Sequence, residues 1–287
     1  MSFEDRLTLC ARETEALLDR LLAPGAARLT DAMRYAALGP GKRLRPFLVS
    51  ESAALFSVPR QVALRVGAAL ECVHCYSLAH DDLPAMDDDD LRRGRPTLHK
   101  AFDEATAILA GDALLTLAFE ILAGIDAAPA IRLALIAALA KASGAAGMVG
   151  GQMLDIEAET RVASSLSGIT LIQSMKTGAL FGFACEAGAI LGGADPAPLR
   201  QYAENIGLAF QIADDVLDVE STPGVLGKAT GKDRRKGKAT FVDMLGLEGA
   251  KARAEELVRG AIAALEDYGA RADALRSAAQ FIVKRKK

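Results

Sequence analysis

Asp214, Asp215 and Asp218 sit inside a strongly apolar helical pattern, between Phe210, Ile212, Val216 and Leu217. At about 100° per residue, Asp214 and Asp218 lie about 40° apart on a helix, with Asp215 about 60° from Asp218 on the same side. Three carboxylates on one face of an otherwise apolar helix are poorly explained as a solvent-facing stripe. Such a face must meet a neutralising group. A helical bundle can provide one by setting a second charged element across an interior site.

A second acidic element lies about 130 residues earlier. The run Tyr76-Ser-Leu-Ala-His-Asp81-Asp82-Leu-Pro84-Ala-Met-Asp87-Asp88-Asp89-Asp90-Leu-Arg92-Arg93 carries an apolar helix into two adjacent carboxylates, breaks near Pro84, and resumes with four more. Taken alone it also fits a solvated acidic loop. Paired with the first cluster, it fits a metal site. Hard cations such as Mg²⁺ bind carboxylate oxygens and share their shell with substrate phosphates, and Arg92 and Arg93 add forked donors for phosphate oxygens.

Elsewhere the period is helical almost throughout, with no convincing run of alternating strand residues. The spacing predicts helices over Phe3 to Leu22, about Ala26 to Ala37, Pro46 through Phe56, and from Pro59 into the acidic break. Asp103, Asp126-Pro129 and Asp195-Pro196 read as later helix starts. Two charged amphipathic helices, about Leu247 to Tyr268 and Ala272 to Val283, close the pattern. The most hydrophobic run, Ile131 to Val149, contains Arg132, Lys141 and several glycines, and reads as a buried core helix, not a membrane span. No repeat, linker or internal boundary divides the chain. One all-α domain over 1–287 is expected.

Composition narrows the function. Hydrophobic residues make up 51%, ample for a core, and Lys+Arg 34 against Asp+Glu 37 gives net charge −3, which argues against a general nucleic-acid or anionic-membrane surface. Cys72 and Cys75 form a CxxC with no second pair to complete a zinc site, and Cys10 and Cys185 stand alone, so reduced thiols in a cytoplasmic protein are expected. The opening Met1-Ser-Phe-Glu-Asp-Arg is polar and acidic, unlike a signal peptide.

Two basic stretches remain. Gly39-Pro-Gly41-Lys42-Arg43-Leu44-Arg45-Pro46 is a glycine-hinged cationic turn, either ordinary surface charge or a cluster converging on a small anion. The stretch from Leu226 to Thr240, with Lys228 and Lys232, reads as an exposed loop or as a lid over a phosphorylated ligand. It has no interleaved aromatics on which bases could stack. His74, two turns before Asp81, is either a core residue or a donor to an anion near the acidic site.

Together these motifs resemble the trans-isoprenyl diphosphate synthases, most of all the bacterial farnesyl diphosphate synthases. The resemblance rests on Gly41-Lys42-Arg43-Leu44-Arg45-Pro46, Asp81-Asp82-x-x-x-x-Asp87 with Arg92-Arg93-Gly94, Gly150-Gly151-Gln152, Lys176-Thr177-Gly178, Phe210-Gln211-x-x-Asp214-Asp215-x-x-Asp218, and Gly227-Lys228 with Gly231-Lys232-Asp233. It covers nearly the whole chain, in the family's order. It implies an isoprenoid-synthase helical bundle around a central cavity, a homodimer, and about three Mg²⁺ per site, which Mn²⁺ can replace.

The implied reaction is head-to-tail condensation of isopentenyl diphosphate with dimethylallyl and geranyl diphosphates to farnesyl diphosphate. A geranylgeranyl diphosphate synthase of the same family is the alternative. By resemblance, Asp81, Asp87 and Asp214 are metal ligands, supported by Asp82, Asp215 and Asp218. Arg92, Lys176 and Lys228 meet the allylic diphosphate, with Lys232 a further lid residue. Lys42, Arg45, His74 and Arg93 hold isopentenyl diphosphate, and Thr177 and Gln211 face the developing cation. Tyr76 and Ser77, roughly 7.5 and 6 Å back from Asp81 along the helix, set product length. The chain departs from the family at Val242, where a proline is frequent.

Three rivals fit less well. A terpene cyclase needs no second diphosphate site such as Lys42 and Arg45 suggest. A His-Asp phosphohydrolase, read from His80-Asp81, leans on more histidines than His74, His80 and His99. A non-catalytic prenyltransferase subunit would lack one of the aspartate motifs.

Overall fold

The computed structural model describes residues 2–22, 27–159, 165–220 and 239–284. Its helices run in the order α1 (Phe3–Leu21), α2 (Arg28–Ala37), α3 (Leu44–Ala54), α4 (Arg60–Asp81), α5 (Leu98–Ala101), α6 (Glu104–Ala123), α7 (Pro129–Ser143), α8 (Met148–Ala158), α9 (Leu166–Gln173), α10 (Ala179–Gly192), α11 (Ala197–Glu220), α12 (Phe241–Ala263) and α13 (Asp273–Lys284). A π-helical turn, Ser174–Gly178, joins α9 to α10. Between α4 and α5, β1 (Leu91–Arg92) pairs antiparallel with β2 (Arg95–Pro96). The fold is all-α apart from this short ribbon.

Two of the three expected caps act where the spacing put them; α7 starts at Pro129 as expected, but its cap position is Ala128, which makes no side-chain cap contact, and not Asp126. Asp103 accepts from Thr106 N at 2.7 Å to cap α6, and Asp195 accepts from Ala197 N at 3.0 Å where α11 begins. Thr240 and Asp243 form a reciprocal capping box at the start of α12. Val242 sits in that first turn, where a proline's missing N–H would break no helical bond.

α3, α4, α6, α10 and α11 pack together at the centre. α4 packs between α3 and α6, while α10 packs on α3 and α11. Along α4, Val66, Ala68, Ala69, Leu70, Cys72 and Val73 are wholly buried. Gly188 lets α10 approach α3, because a Cβ there would lie 2.3 Å from the carbonyl carbon of Ser52. All four cysteines are buried and free. Burial pushes the Cys75 thiol up to about 12 and Cys72 well above its usual range, which leaves them unreactive.

Several boundaries differ from the sequence expectation. Ile131 to Val149 is not one buried helix: α7 ends at Ser143 and α8 starts at Met148. Gly147 breaks the run with non-helical backbone, φ −139 and ψ −130. Only Leu135, Leu139 and Ser143 of α7 are buried, and Leu133 is 68% exposed. α3 begins at Leu44, two residues before Pro46, which the first turn tolerates. α12 begins at Phe241, bends at Gly246 (φ 71) and ends at Ala263, short of Tyr268.

By length and composition alone, Arg60–Asp81, Glu104–Ala123 and Pro129–Ala158 are apolar enough to cross a membrane. In the fold the first of these is the central helix, 78% buried over its most apolar window, against 44% and 28% for the other two.

Candidate active site

The central helix delivers the first acidic cluster. α4 ends at Asp81, Asp82 caps it, and the loop folds back so that Asp87 N donates to Asp81 O at 2.8 Å and Asp89 N to Asp82 O at 3.2 Å. Burial pushes the Asp81 carboxyl up to about 6. Lys176 and Arg92 oppose that shift, while the charges of Asp87 and Asp82 reinforce it. Groups from α4, the acidic loop, the ribbon and the π-turn therefore share one electrostatic environment.

The two acids of the Asp81-Asp82 pair behave differently. Asp82 is buried and receives a forked contact from Arg92: Nε lies 2.8 and 2.9 Å from its two oxygens, and Nη2 2.5 Å from Oδ1. Arg92 is fixed in turn by the ribbon. The ribbon turns at Arg93 and Gly94, both at positive φ (52 and 75), the pairing a tight hairpin needs. Arg93 then reaches back to the Pro40 carbonyl, tying the ribbon to the glycine-hinged cationic turn.

α11 delivers the second cluster. Asp214 and Asp218 are half-buried, while Asp215 is buried and accepts from Gln211 Nε2 at 3.1 Å and from Phe241 N at 2.8 Å. The second contact caps α12, where a carboxylate also meets the positive end of the helix. Gln211 Oε1 in turn accepts from Thr177 Oγ1 at 3.5 Å. A polar relay thus runs from the π-turn through α11 to α12.

The π-turn itself carries Lys176 and Thr177, and Lys176 Nζ donates to Asp155 Oδ2 at 2.7 Å. Gly151 explains part of the Gly150-Gly151-Gln152 motif. A Cβ there would stand 2.2 Å from Lys176 N, so only glycine lets α8 press against the turn.

The cationic turn opens on a cavity of about 450 Å³ that Lys42, Arg45, His74, Arg93, Phe210 and Phe281 help to line. The four polar residues expected to share an anion are therefore in one place. Arg45 lies 5.0 Å over the Phe181 ring, and its buried Nε has no hydrogen-bond partner among the described residues. Asp214 contributes to the field at Arg45, which joins this cavity to the second aspartate cluster. Burial holds the His74 imidazole well below its usual range, with the charges of Arg45 and Arg93 adding, so it is neutral at pH 7.

Tyr76 is buried, with its ring edge-on to His80 at 5.7 Å, and Ser77 Oγ donates to His74 O at 3.0 Å. Burial, with the Asp81 charge adding, pushes the Tyr76 hydroxyl up to about 12. Lys228 and Lys232 lie outside the described residues. Among the described residues, no three His, Cys, Asp or Glu form a closed metal site on their own. The carboxylate oxygens of the two clusters nevertheless suit a hard cation that completes its shell with phosphate and water.

Sequence reasoning did not single out Asp155, Glu71 or the separate role of Arg43. Arg43 Nη1 donates to Glu71 Oε1 at 2.7 Å, and both residues are only 3% exposed. The signal available was an acid inside an apolar helical run, Glu71 in α4 and Asp155 in α8.

The comparisons with known proteins agree with this geometry. The polyprenyl synthetase family model matches residues 26–276. The farnesyl diphosphate synthase of Escherichia coli K12 is 45% identical over 100% of both chains, and that of Geobacillus stearothermophilus is 45% identical over 88% of this chain and 87% of its own. An apo crystal structure of an FPP/GFPP synthase from Zymomonas mobilis superposes with a TM-score of 0.90 at 51% identity, covering 98% of each chain. A helical bundle that carries two aspartate clusters and a cationic cavity, matched along nearly its whole length, belongs to the polyprenyl synthetase family, and the chain is a prenyltransferase.

Proposed function

We propose that this chain condenses isopentenyl diphosphate with dimethylallyl and then geranyl diphosphate, ending at farnesyl diphosphate. The observation that carries the reading is the cavity of Lys42, Arg45, His74 and Arg93, with Asp214 acting on Arg45 and Arg92, next to Arg93, gripping Asp82. One diphosphate must leave and the other must stay, and the two kinds of site suit those two fates. The sequence similarity to farnesyl diphosphate synthases supports the same product.

In the carboxylate-rich site, Asp81, Asp87, Asp214 and Asp218 would hold Mg²⁺, which when bound neutralises charge on the leaving diphosphate. Asp82 and Asp215 support this set by fixing Arg92 and Gln211. Lys176 and Arg92, with Lys228 and Lys232 by resemblance, donate to the allylic diphosphate as its C–O bond breaks and the electron pair leaves with oxygen. Because the Gln211 amide donates to Asp215, its carbonyl oxygen faces Thr177. Both oxygens can then stabilise positive charge on the allylic carbon without holding a nucleophilic proton acceptor as strong as a carboxylate.

Isopentenyl diphosphate keeps its diphosphate against Lys42, Arg45, Arg93 and the N–H of neutral His74. Its double bond attacks the allylic carbon, and loss of a proton restores a double bond. Tyr76 closes the floor of the product channel, with Ser77 beside it. Exposed Ile108, Leu109, Leu133 and Met153 on α6 to α8 support a homodimer, and the four unpaired cysteines support a cytoplasmic setting. The whole of 1–287 forms one domain in this reading.

The test counts diphosphate. With isopentenyl and dimethylallyl diphosphates and Mg²⁺, one diphosphate should appear per carbon–carbon bond formed, and chelation by EDTA should stop both. Diphosphate or alcohol released without chain growth would replace the reading with hydrolysis.

A further inference from the structure

Arg43 lies between Lys42 and Arg45, yet its side chain turns into the protein and is only 1% exposed. Four contacts hold it: Nη1 donates to Glu71 Oε1 at 2.7 Å, Nη2 to the carbonyls of Ala37 (2.9 Å) and Gly39 (2.6 Å), and Nε to Glu15 Oε1 at 3.3 Å. Its backbone is left-handed, φ 50 and ψ 40, immediately before α3. A residue with a side chain keeps that conformation only where its surroundings over-determine it. Here the guanidinium contacts do so, by fastening the turn to α1, to the end of α2 and to α4.

Glu71 sits one helical turn before His74 on α4, so both project from nearly the same face. The Arg43–Glu71 pair therefore sets the register between the cationic turn and the helix face that carries His74. The left-handed residue also redirects the chain between Lys42 and Arg45; Arg43 and Glu71 border the cavity with them, but the Arg43 guanidinium is taken up by the four contacts above.

We propose that Arg43 is the positioning residue of the isopentenyl diphosphate site. It binds no diphosphate oxygen. Its inward guanidinium fixes where Lys42 and Arg45 stand relative to His74. The proposal rests on the assignment of that cavity to isopentenyl diphosphate. It departs from reading Arg43 as a third ligand of the same anion.

The alternative role, fold stability alone, is separable. Replacing a buried ion pair by two apolar residues commonly preserves a fold, whereas removing one partner leaves a buried charge. Arg43→Met combined with Glu71→Met should therefore regain most of the thermal midpoint lost by Arg43→Met alone. Neither variant can hold the Ala37 and Gly39 carbonyls. In both, the KM for isopentenyl diphosphate should rise about tenfold or more while the KM for geranyl diphosphate stays within about twofold. Arg43→Lys, which keeps the charge but cannot reach Glu71, Glu15 and the two carbonyls at once from a single ammonium nitrogen, should show the same split to a smaller extent.

Recovery of both stability and isopentenyl KM in the double variant would overturn the proposal, as would equal rises in the two KM values. Lys42→Ala and Arg45→Ala serve as controls. If they leave the isopentenyl KM unchanged, the site assignment fails. If they raise it and the Arg43 variants do not, the positioning role fails.

Discussion

Lys176 Nζ and Asp155 Oδ2 lie 2.7 Å apart, joining the π-turn to α8 at the edge of the candidate site. Lys176 is 26% exposed and Asp155 10%, so the pair is shielded without being sealed. A π-turn re-aims its side chains relative to a regular helix, and such turns recur at functional sites. The pair holds Lys176 in a defined orientation before any diphosphate arrives.

Asp155→Asn should therefore lower kcat/KM for the allylic substrate. A charge-assisted hydrogen bond of this kind contributes about 1.5–3 kcal/mol, or roughly ten- to a hundredfold. Steady-state kinetics with each substrate varied in turn would measure it, and an unchanged allylic kcat/KM would remove Asp155 from the site.

Asp81→Ala and Asp214→Ala should each lower kcat by about a hundredfold or more, since each loses charge stabilisation needed in the transition state. Circular dichroism should report an intact helical fold. Activity within a few-fold of the unmodified enzyme would take both residues out of the reaction.

Lys42→Ala and Arg45→Ala should raise the KM for isopentenyl diphosphate more than that for the allylic substrate. The isopentenyl diphosphate group does not leave, so its contacts are largely uniform binding. Equal changes for both substrates would mean that the two anion sites are exchanged.

His74 makes a pH prediction. Its imidazole is held well below the usual range, so in acid the unfolded chain takes up a proton that the native protein refuses. The stability linked to neutral His74 is present above the unfolded value, about 6.5, and declines as pH falls below it. His74→Asn should therefore lose less thermal stability than the unmodified protein between about pH 7.5 and about pH 5.5. Thermal midpoints at both pH values would read the difference, and identical losses would contradict it.

The parts of the molecule that were legible in sequence are those set by local rules. Helical period revealed the bundle, Asp103 and Asp195 marked helix starts, and the aspartates at 81, 82, 87, 214, 215 and 218 announced both clusters. Less legible was which acids have their oxygens engaged. Asp82 meets an arginine ten residues away, and Asp215 meets the first N–H of a helix that begins 26 residues later. Those contacts arise from tertiary placement, which periodicity does not encode. Arg43 was hidden for the same reason. In sequence it is one cation among three, and only the left-handed backbone turns it inward. The break between α7 and α8 was misread because hydropathy outweighed glycine in an apolar run.

The product formed by the unmodified enzyme tests the account most directly. A growing hydrocarbon must extend into the apolar interior, and Tyr76 lies there, buried on α4 below Asp81. Mass analysis after incubation with dimethylallyl diphosphate, isopentenyl diphosphate and Mg²⁺ should find the fifteen-carbon diphosphate as the main product. Tyr76→Ala should shift it to twenty carbons or more, and Ser77→Phe toward ten. A twenty-carbon or longer main product from the unmodified enzyme, or an unchanged product from Tyr76→Ala, would contradict the floor. A cyclised hydrocarbon, or no chain growth at all, would contradict the reaction itself.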